Sequence, residues 1–264
     1  MESITPRLAR RPRAYVAVRG PDAEDLLQRM LSNDVSGDSC EALLLTPKAR
    51  VIAPLLVWRR SPEDFLLLTE PELGETVRSQ LLRMRFRARC EIELEEHLST
   101  IAFGEEEGIP NRDYGVPAVE VLDDPREPTL DGESLEAMRI LARTPRFGRE
   151  IDDRVLPAEA GLTERAVSFT KGCYPGQEPI ARLHYRGHAN RGLRLLALEG
   201  EELPEYDADV VHDGKAVGRV TSAARRPDGG IVALAYVRAE VPEDAELGVG
   251  RSTGRPLDLS PAGP

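Results

Sequence analysis

Phe169-Thr170-Lys171-Gly172-Cys173-Tyr174-Pro175-Gly176-Gln177-Glu178 is the stretch from which this 264-residue chain is best read. Gly172 and Gly176 bracket a Cys-Tyr-Pro triplet, and Pro175 biases Tyr174 toward an extended conformation. The stretch therefore reads as a tight, shaped loop that can bring backbone close to a ligand. Around it lie Lys171, Arg182, Arg186, Arg191 and Arg194, faced by a single acid, Glu178. Nearby positive charge favours thiolate, the form that attacks, ligates metal or is oxidised, which makes Cys173 the candidate functional thiol. The other reading, a small buried apolar residue in a glycine-rich turn, stands equally open, because free cysteine is among the most buried residue types.

Upstream of the loop, alternation marks strands at Ala14 to Arg19, Ala42 to Thr46, Arg50 to Arg59, Phe65 to Thr69 and Cys90 to Glu95. Thr46-Pro47-Lys48-Ala49 joins the second and third as a hairpin turn, with proline setting one dihedral. Helical spacing appears at Leu26, Leu27, Met30 and Leu31 behind a capping Asp22. It appears again at Leu73, Val77, Leu81 and Met84 behind a capping box at Thr69-Glu70-Pro71-Glu72, and over about Ser134 to Ala142. Strands in hairpins that do not alternate strictly with helices predict an α+β fold, mostly antiparallel.

Downstream, short strands at Leu193 to Leu198, Val210 to His212, Ala216 to Ser222 and Ile231 to Arg238 are punctuated by Asp213-Gly214 and Asp228-Gly229-Gly230. They predict a small β-barrel of about 75 residues. The domain boundaries read as 1–185 and 190–264, with a Gly/Pro/Ser-rich tail from Gly248 to Pro264 expected to be partly disordered. His184 and His188 have a spacing that would place a metal pair on one helix face, but Gly187 and a strand-like alternation around them argue against a helix, so no metal site is expected there.

The bulk properties narrow the function classes. Apolar residues at 41% and charged residues at 31% describe an ordinary globular chain. The charged start and the short apolar run from Val51 to Trp58 predict neither export nor a membrane span. Three scattered cysteines, Cys40, Cys90 and Cys173, fit a reducing cytoplasm and cannot hold an iron–sulfur cluster alone, which takes four ligands. A net charge of -11 and 5% aromatic residues weaken an RNA-binding adaptor reading, although the basic segment around the loop keeps it in view.

Lys171 to Glu178 resembles the K-G-C-Y-x-G-Q-E signature of the YgfZ family, folate-binding relatives of the glycine-cleavage aminomethyltransferase, and Ala181-Arg182-Leu183 continues the likeness. Leu31-Ser32-Asn33-Asp34-Val35 is similar to that family's T-N-D-V element. Leu45 to Arg50 is similar to its L-T-P-K-G-R hairpin, with Ala49 in place of glycine. Leu156 to Leu162 and Val217 to Ala223 match two further blocks. The resemblance implies two intertwined antiparallel α+β subdomains around a folate pocket plus a C-terminal β-barrel. It implies tetrahydrofolate or a derivative as cofactor, and a role supporting iron–sulfur enzymes or assembly proteins, including enzymes of transfer RNA modification.

On that resemblance, Lys171, Gly172, Tyr174, Gly176, Gln177 and Glu178 are motif residues, and Asn33, Asp34 and Glu159 are folate-contact candidates because they fall in family-like blocks. Arg182 or Arg186 is the candidate to grip a folate carboxylate tail through a bidentate fork, against the plain alternative of a solvated strand face. The aminomethyltransferase carries an acidic residue after its hairpin. Here the matching positions are Ala53 and Pro54, which cannot move a proton, so ordinary glycine-cleavage activity is disfavoured. A folate-dependent one-carbon transferase or demethylase with another donor is the runner-up.

Overall fold

In the computed structural model, residues 7–226 and 229–257 are described. Strands β1 (Arg7–Arg10) and β2 (Ala14–Arg19) are separated by three residues but enter different sheets. Helix α1 (Ala23–Met30) follows, then β3 (Ser39–Leu45), β4 (Val51–Ser61) and β5 (Asp64–Thr69). A 3-10 turn (Pro71–Leu73) leads into α2 (Gly74–Met84) and β6 (Glu91–Glu95). Then come β7 (Ser99–Phe103), β8 (Ile109–Asn111), β9 (Ala118–Leu122) and α3 (Gly132–Leu141). The expected intertwining is real. One sheet runs β3-β4-β5-β2-β6 and the other β1-β7-β9-β8, so the chain crosses from one sheet to the other between β1 and β2 and again between β6 and β7.

The larger sheet buries one face under α1 and α2, where Val16, Val18, Leu26, Leu27, Phe65, Leu67, Val77 and Leu81 close a core. The other face carries Tyr15, Ala17, Leu66 and Leu68 against Ile109 of the smaller sheet. Period-2 burial on both faces explains why its strands were legible from alternation and short apolar runs.

Two caps read from the sequence do not form. Asp22 precedes α1 without a side-chain bond to it, and its carboxylate accepts instead from the backbone N–H and guanidinium of Arg89. Thr69 ends β5, and its hydroxyl donates to the Pro54 carbonyl at 2.8 Å, a tertiary bond that outcompetes the local cap. Asp131 does cap α3, accepting from Ser134 N at 2.7 Å.

Two short helices finish this half: α4 (Thr163–Ala166) and α5 (Gln177–Arg186). The strand-like reading of the segment around His184 is corrected here. Its alternation of polar and apolar residues belongs to a single-sided surface helix whose buried residue is Ile180. Gly187 closes that helix, so His184 lies on it and His188 lies beyond it.

The barrel strands are β10 (Arg191–Leu198), β11 (Asp209–His212), β12 (Lys215–Arg225), β13 (Ile231–Arg238), β14 (Leu247–Val249) and β15 (Ser252–Pro256), closed in the order β10-β13-β12-β11-β14-β15. The tail expectation is corrected over Gly248 to Pro256. There β14 and β15 close the barrel, with β15 pairing β10 from Leu196↔Pro256 to Leu198↔Gly254. Residues 258–264 and Asp228 of the expected turn lie outside the described residues.

Candidate functional site

A central cavity lies where the two sheets, α3 and α4 converge. Its floor is built by neighbouring strands in register: Glu41↔Leu56, Ala42↔Leu55 and Leu43↔Pro54 on β3 and β4. Pro54 thus lines the cavity itself, and it is one of the two positions, Ala53 and Pro54, where the family resemblance places the transferase's acidic residue.

A chain of alternating charges crosses this space. Glu41 takes two bonds from Arg165 of α4, both 2.8 Å, and Arg165 Nη2 reaches Asp113 at 3.0 Å. Asp113 lies 3.6 Å from Arg13, which forks onto Glu120 of β9 with both bonds at 3.0 Å. Glu120 is fully buried and also accepts from Ser99 and from Asn111 at 3.1 Å. Burial works against the Arg13 charge, but Glu120 and Asp113 more than offset it and hold the guanidinium protonated. Arg11 pairs with Glu70 at 2.6 Å on the same wall. Burial pushes the Tyr114 phenol well up, so it lines the cavity as a neutral hydroxyl.

The signature loop packs beside this cavity and not inside its lining. Gly176 sits at φ +84, and a Cβ there would lie 2.7 Å from the Thr46 carbonyl and 3.0 Å from Ala49 Cα. Only glycine allows the loop this close to the β3–β4 turn. Ala49, where the family has glycine, takes a left-handed φ of 58. Tyr174 is buried in the core between the loop and the sheets, and its hydroxyl has no hydrogen-bond partner among the described residues. Lys171 Nζ donates to the carbonyls of Leu31 at 2.8 Å and Asn33 at 2.7 Å. Burial lowers its pKa to about 8, with Asp34 and Cys40 opposing. Cys173 and Gly172 are exposed on the surface. Burial pushes the Cys40 thiol up to about 12, despite Lys171 nearby.

Asn33 braces the cavity from behind, its amide donating to the carbonyls of Glu41 at 2.8 Å and Arg165 at 3.3 Å. Asp34 folds back on Ser36 N and Gln28, and the Ser36 bond holds its carboxyl below the usual range. Glu159 accepts from Leu156 N and Arg191, tying the loop before α4 to the barrel. Gln177 opens α5, while Glu178 pairs with Arg182 along its exposed face at 2.8 Å. Arg186 is exposed near the end of α5, and neither arginine lines the central cavity. Arg11, Arg13, Asp113 and Arg165 were not singled out from the sequence. Their partners lie up to 124 residues away, and no local pattern announces such pairs. No cluster of His, Cys, Asp or Glu suited to a metal ion occurs among the described residues, and no helix among them is long and apolar enough to cross a membrane.

Residues 191–261 match the glycine cleavage T-protein C-terminal barrel domain. The fold resembles that of the glycine cleavage system aminomethyltransferase T from Bartonella henselae, with a TM-score of 0.79 over 96% of this chain and 84% of that one, at 19% identity. The chain therefore has the aminomethyltransferase T-protein fold. A tRNA-modifying protein YgfZ from Edwardsiella ictaluri is 37% identical over 114 residues, 41% of this chain and 34% of that protein. The chain thus spans about a third of the length of that relative. An uncharacterized protein of Haemophilus influenzae is 27% identical over 79% of this chain and 80% of its own length. Within the T-protein fold, part of the chain is similar in sequence to a protein named YgfZ.

Proposed function

We propose that the chain binds tetrahydrofolate or a derivative in the central cavity and acts as an accessory factor, not as an aminomethyltransferase. The observation that carries the reading is the composition of the cavity wall. Carboxylates at Glu41 and Asp113 and guanidinium groups at Arg13 and Arg165 stand beside apolar Leu43, Leu55, Leu56 and Leu162. A pterin needs this combination: apolar faces for a flat ring, a carboxylate for its amino-pyrimidine edge, and donors for its carbonyl. The donor set therefore fits the group. When bound, a reduced folate supplies a one-carbon carrier.

Proton transfer is the step the wall does not favour. Pro54 contributes no ionisable group, and Glu41, Glu70 and Asp113 are each paired with arginine, Glu41 with Arg165, Glu70 with Arg11, and Asp113 with Arg165 and Arg13. General acid–base help is typically worth about two to four decades of rate, and its loss fits a binding role. The proposed iron–sulfur role rests on the resemblance of the signature loop and on its exposed Cys173, and the name of the YgfZ relative supports only a link to transfer RNA modification. Cys173 there serves as a reactive or transient ligand group at the surface, within a cytoplasmic setting.

Hydrogen–deuterium exchange with tetrahydrofolate tests the site. Protection is expected in residues 41–43, 54–56 and 110–114. Protection confined to α5 or the barrel exterior would move the site elsewhere. For the thiol, a Cys173→Ala variant that fully restores iron–sulfur enzyme activity in a strain lacking the protein would remove Cys173 from the account.

A further inference from the structure

Helix α2 ends against the usual chemistry of helix termini. Arg85 is its C-cap, and the next residue, Phe86, takes a left-handed φ of 47, a position that helices commonly give to glycine. A bulky side chain is strained there. Burial does not offset the strain, because Phe86 is 76% exposed, more than any other large apolar side chain among the described residues. The turn around it is nonetheless firmly held. Arg89 forks onto Asp22 at 3.0 and 3.1 Å, and its backbone N–H donates to the same carboxylate at 2.8 Å. Arg85 donates to the Cys90 carbonyl at 3.1 Å, and the Ala88 N–H closes onto the Arg85 carbonyl at 2.9 Å. Fixed neighbours thus hold an aromatic ring out in solvent. None of these residues lines the central cavity.

Charge flanks the ring. Arg83, Arg85, Arg87 and Arg89 alternate through the turn, in a chain whose net charge is -11. Arg85 and Arg89 are engaged as above, whereas Arg83 and Arg87 are exposed and have no acid partner among the described residues. We propose that the turn from Arg83 to Arg89 is a docking site for an acidic segment of a partner protein, with Phe86 as its apolar anchor. An apolar side chain of the partner covers the ring, and carboxylates beside it take the guanidinium groups of Arg83 and Arg87. Aromatic and arginine anchors are where interface energy concentrates, and guanidinium forks match carboxylates. A turn already set in place avoids the cost of ordering it on binding. A nucleic-acid strand fits less well: it wants a track of cations and several stacking platforms. This turn offers one exposed ring, Asp22 and Glu63 act on Arg89, and exposed Glu91 follows at the start of β6.

The test is fluorescence anisotropy of three labelled probes with the full-length chain: a peptide with leucines set among glutamates, the same peptide with serine for leucine, and single-stranded oligouridine. Wild type is expected to bind the leucine-containing peptide saturably and about tenfold more tightly than either other probe, with the affinity falling as salt screens it. Phe86→Gly is expected to weaken that binding about tenfold while raising the melting temperature, because glycine relieves the left-handed strain. A residue kept for folding would instead lower the melting temperature on replacement. The double variant Arg83→Glu, Arg87→Glu is expected to lose the binding, and Arg251→Glu, in the exposed turn between β14 and β15, to keep it. Absence of saturable binding by the leucine-containing peptide overturns the proposal. So does binding that survives both Phe86→Gly and the double variant, or a lower melting temperature in Phe86→Gly. Tighter binding of oligouridine, lost in the same variants, overturns it in favour of a nucleic-acid contact.

Discussion

Glu120→Gln is the most demanding test of how the cavity wall is held. Glu120 is fully buried and accepts from Arg13 twice, from Ser99 and from Asn111, so every oxygen position is in use. Glutamine keeps the shape but turns one acceptor into a donor that faces donors, and it leaves Arg13, whose side chain is 7% exposed, with Asp113 at 3.6 Å as its remaining acid. Breaking a buried ion pair from one side costs about 3–5 kcal/mol, and the partial compensation from Asp113 places this variant at the low end, about 3 kcal/mol. For a chain of this size that is a fall in melting temperature of roughly 6–12 °C. Urea unfolding of Glu120→Gln, Arg13→Met and the double variant measures it. The double variant is expected to be less destabilised than the sum of the singles, by about 1–3 kcal/mol, because neither partner is then left alone. A loss under about 1 kcal/mol in Glu120→Gln with no coupling to Arg13 refutes the reasoning.

Gly176→Ala, which combines a left-handed φ with a Cβ 2.7 Å from the Thr46 carbonyl, is expected to cost about 1–3 kcal/mol in urea unfolding, and a neutral result would mean that the loop is not wedged on the hairpin. Native-state alkylation at pH 8 is expected to modify Cys173, which is exposed, and to spare Cys40, whose thiol burial holds up at about 12; mass spectrometry of the labelled peptides reads the difference. Burial lowers Lys171 from 10.5 to about 8, so between those values the unfolded chain holds more protons at this site than the folded one. Its contribution to stability therefore rises as pH increases through that window. The urea midpoint of wild type minus that of Lys171→Met is expected to increase from pH 7.5 to 9.5, and a flat difference would mean that burial does not oppose the charge.

Much of the architecture was legible because its signals are local. Alternation located β2 and β13 to the residue, and the Thr46 to Ala49 turn located the β3–β4 hairpin. The strands of the smaller sheet escaped notice: β8 is three residues long, and β1, β7 and β9 acquire their meaning only by pairing across the chain, Leu8 with Ala102 and Ala102 with Val119. The tail looked unstructured because Gly248, Gly254 and Pro256 are weak strand formers, yet closure of the barrel supplies the missing hydrogen bonds. At the site, the signature loop was conspicuous as a run of unusual residues. The cavity it supports is lined by residues such as Arg165 and Asp113, whose pairing depends on the tertiary fold. The arginines of the basic segment were read as one cluster, but α5 and β10 send them to different partners: Arg182 to Glu178, Arg191 to Glu159, Arg194 to the Val241 and Pro242 carbonyls.

The central claim is that one cavity, between the two sheets, holds a reduced folate. Anaerobic calorimetric titration of tetrahydrofolate into the wild-type protein tests it most directly. The account predicts one site per chain, micromolar affinity and a negative heat-capacity change from burying the ring against Leu43, Leu55 and Leu56; absence of any saturable heat at several temperatures would contradict it.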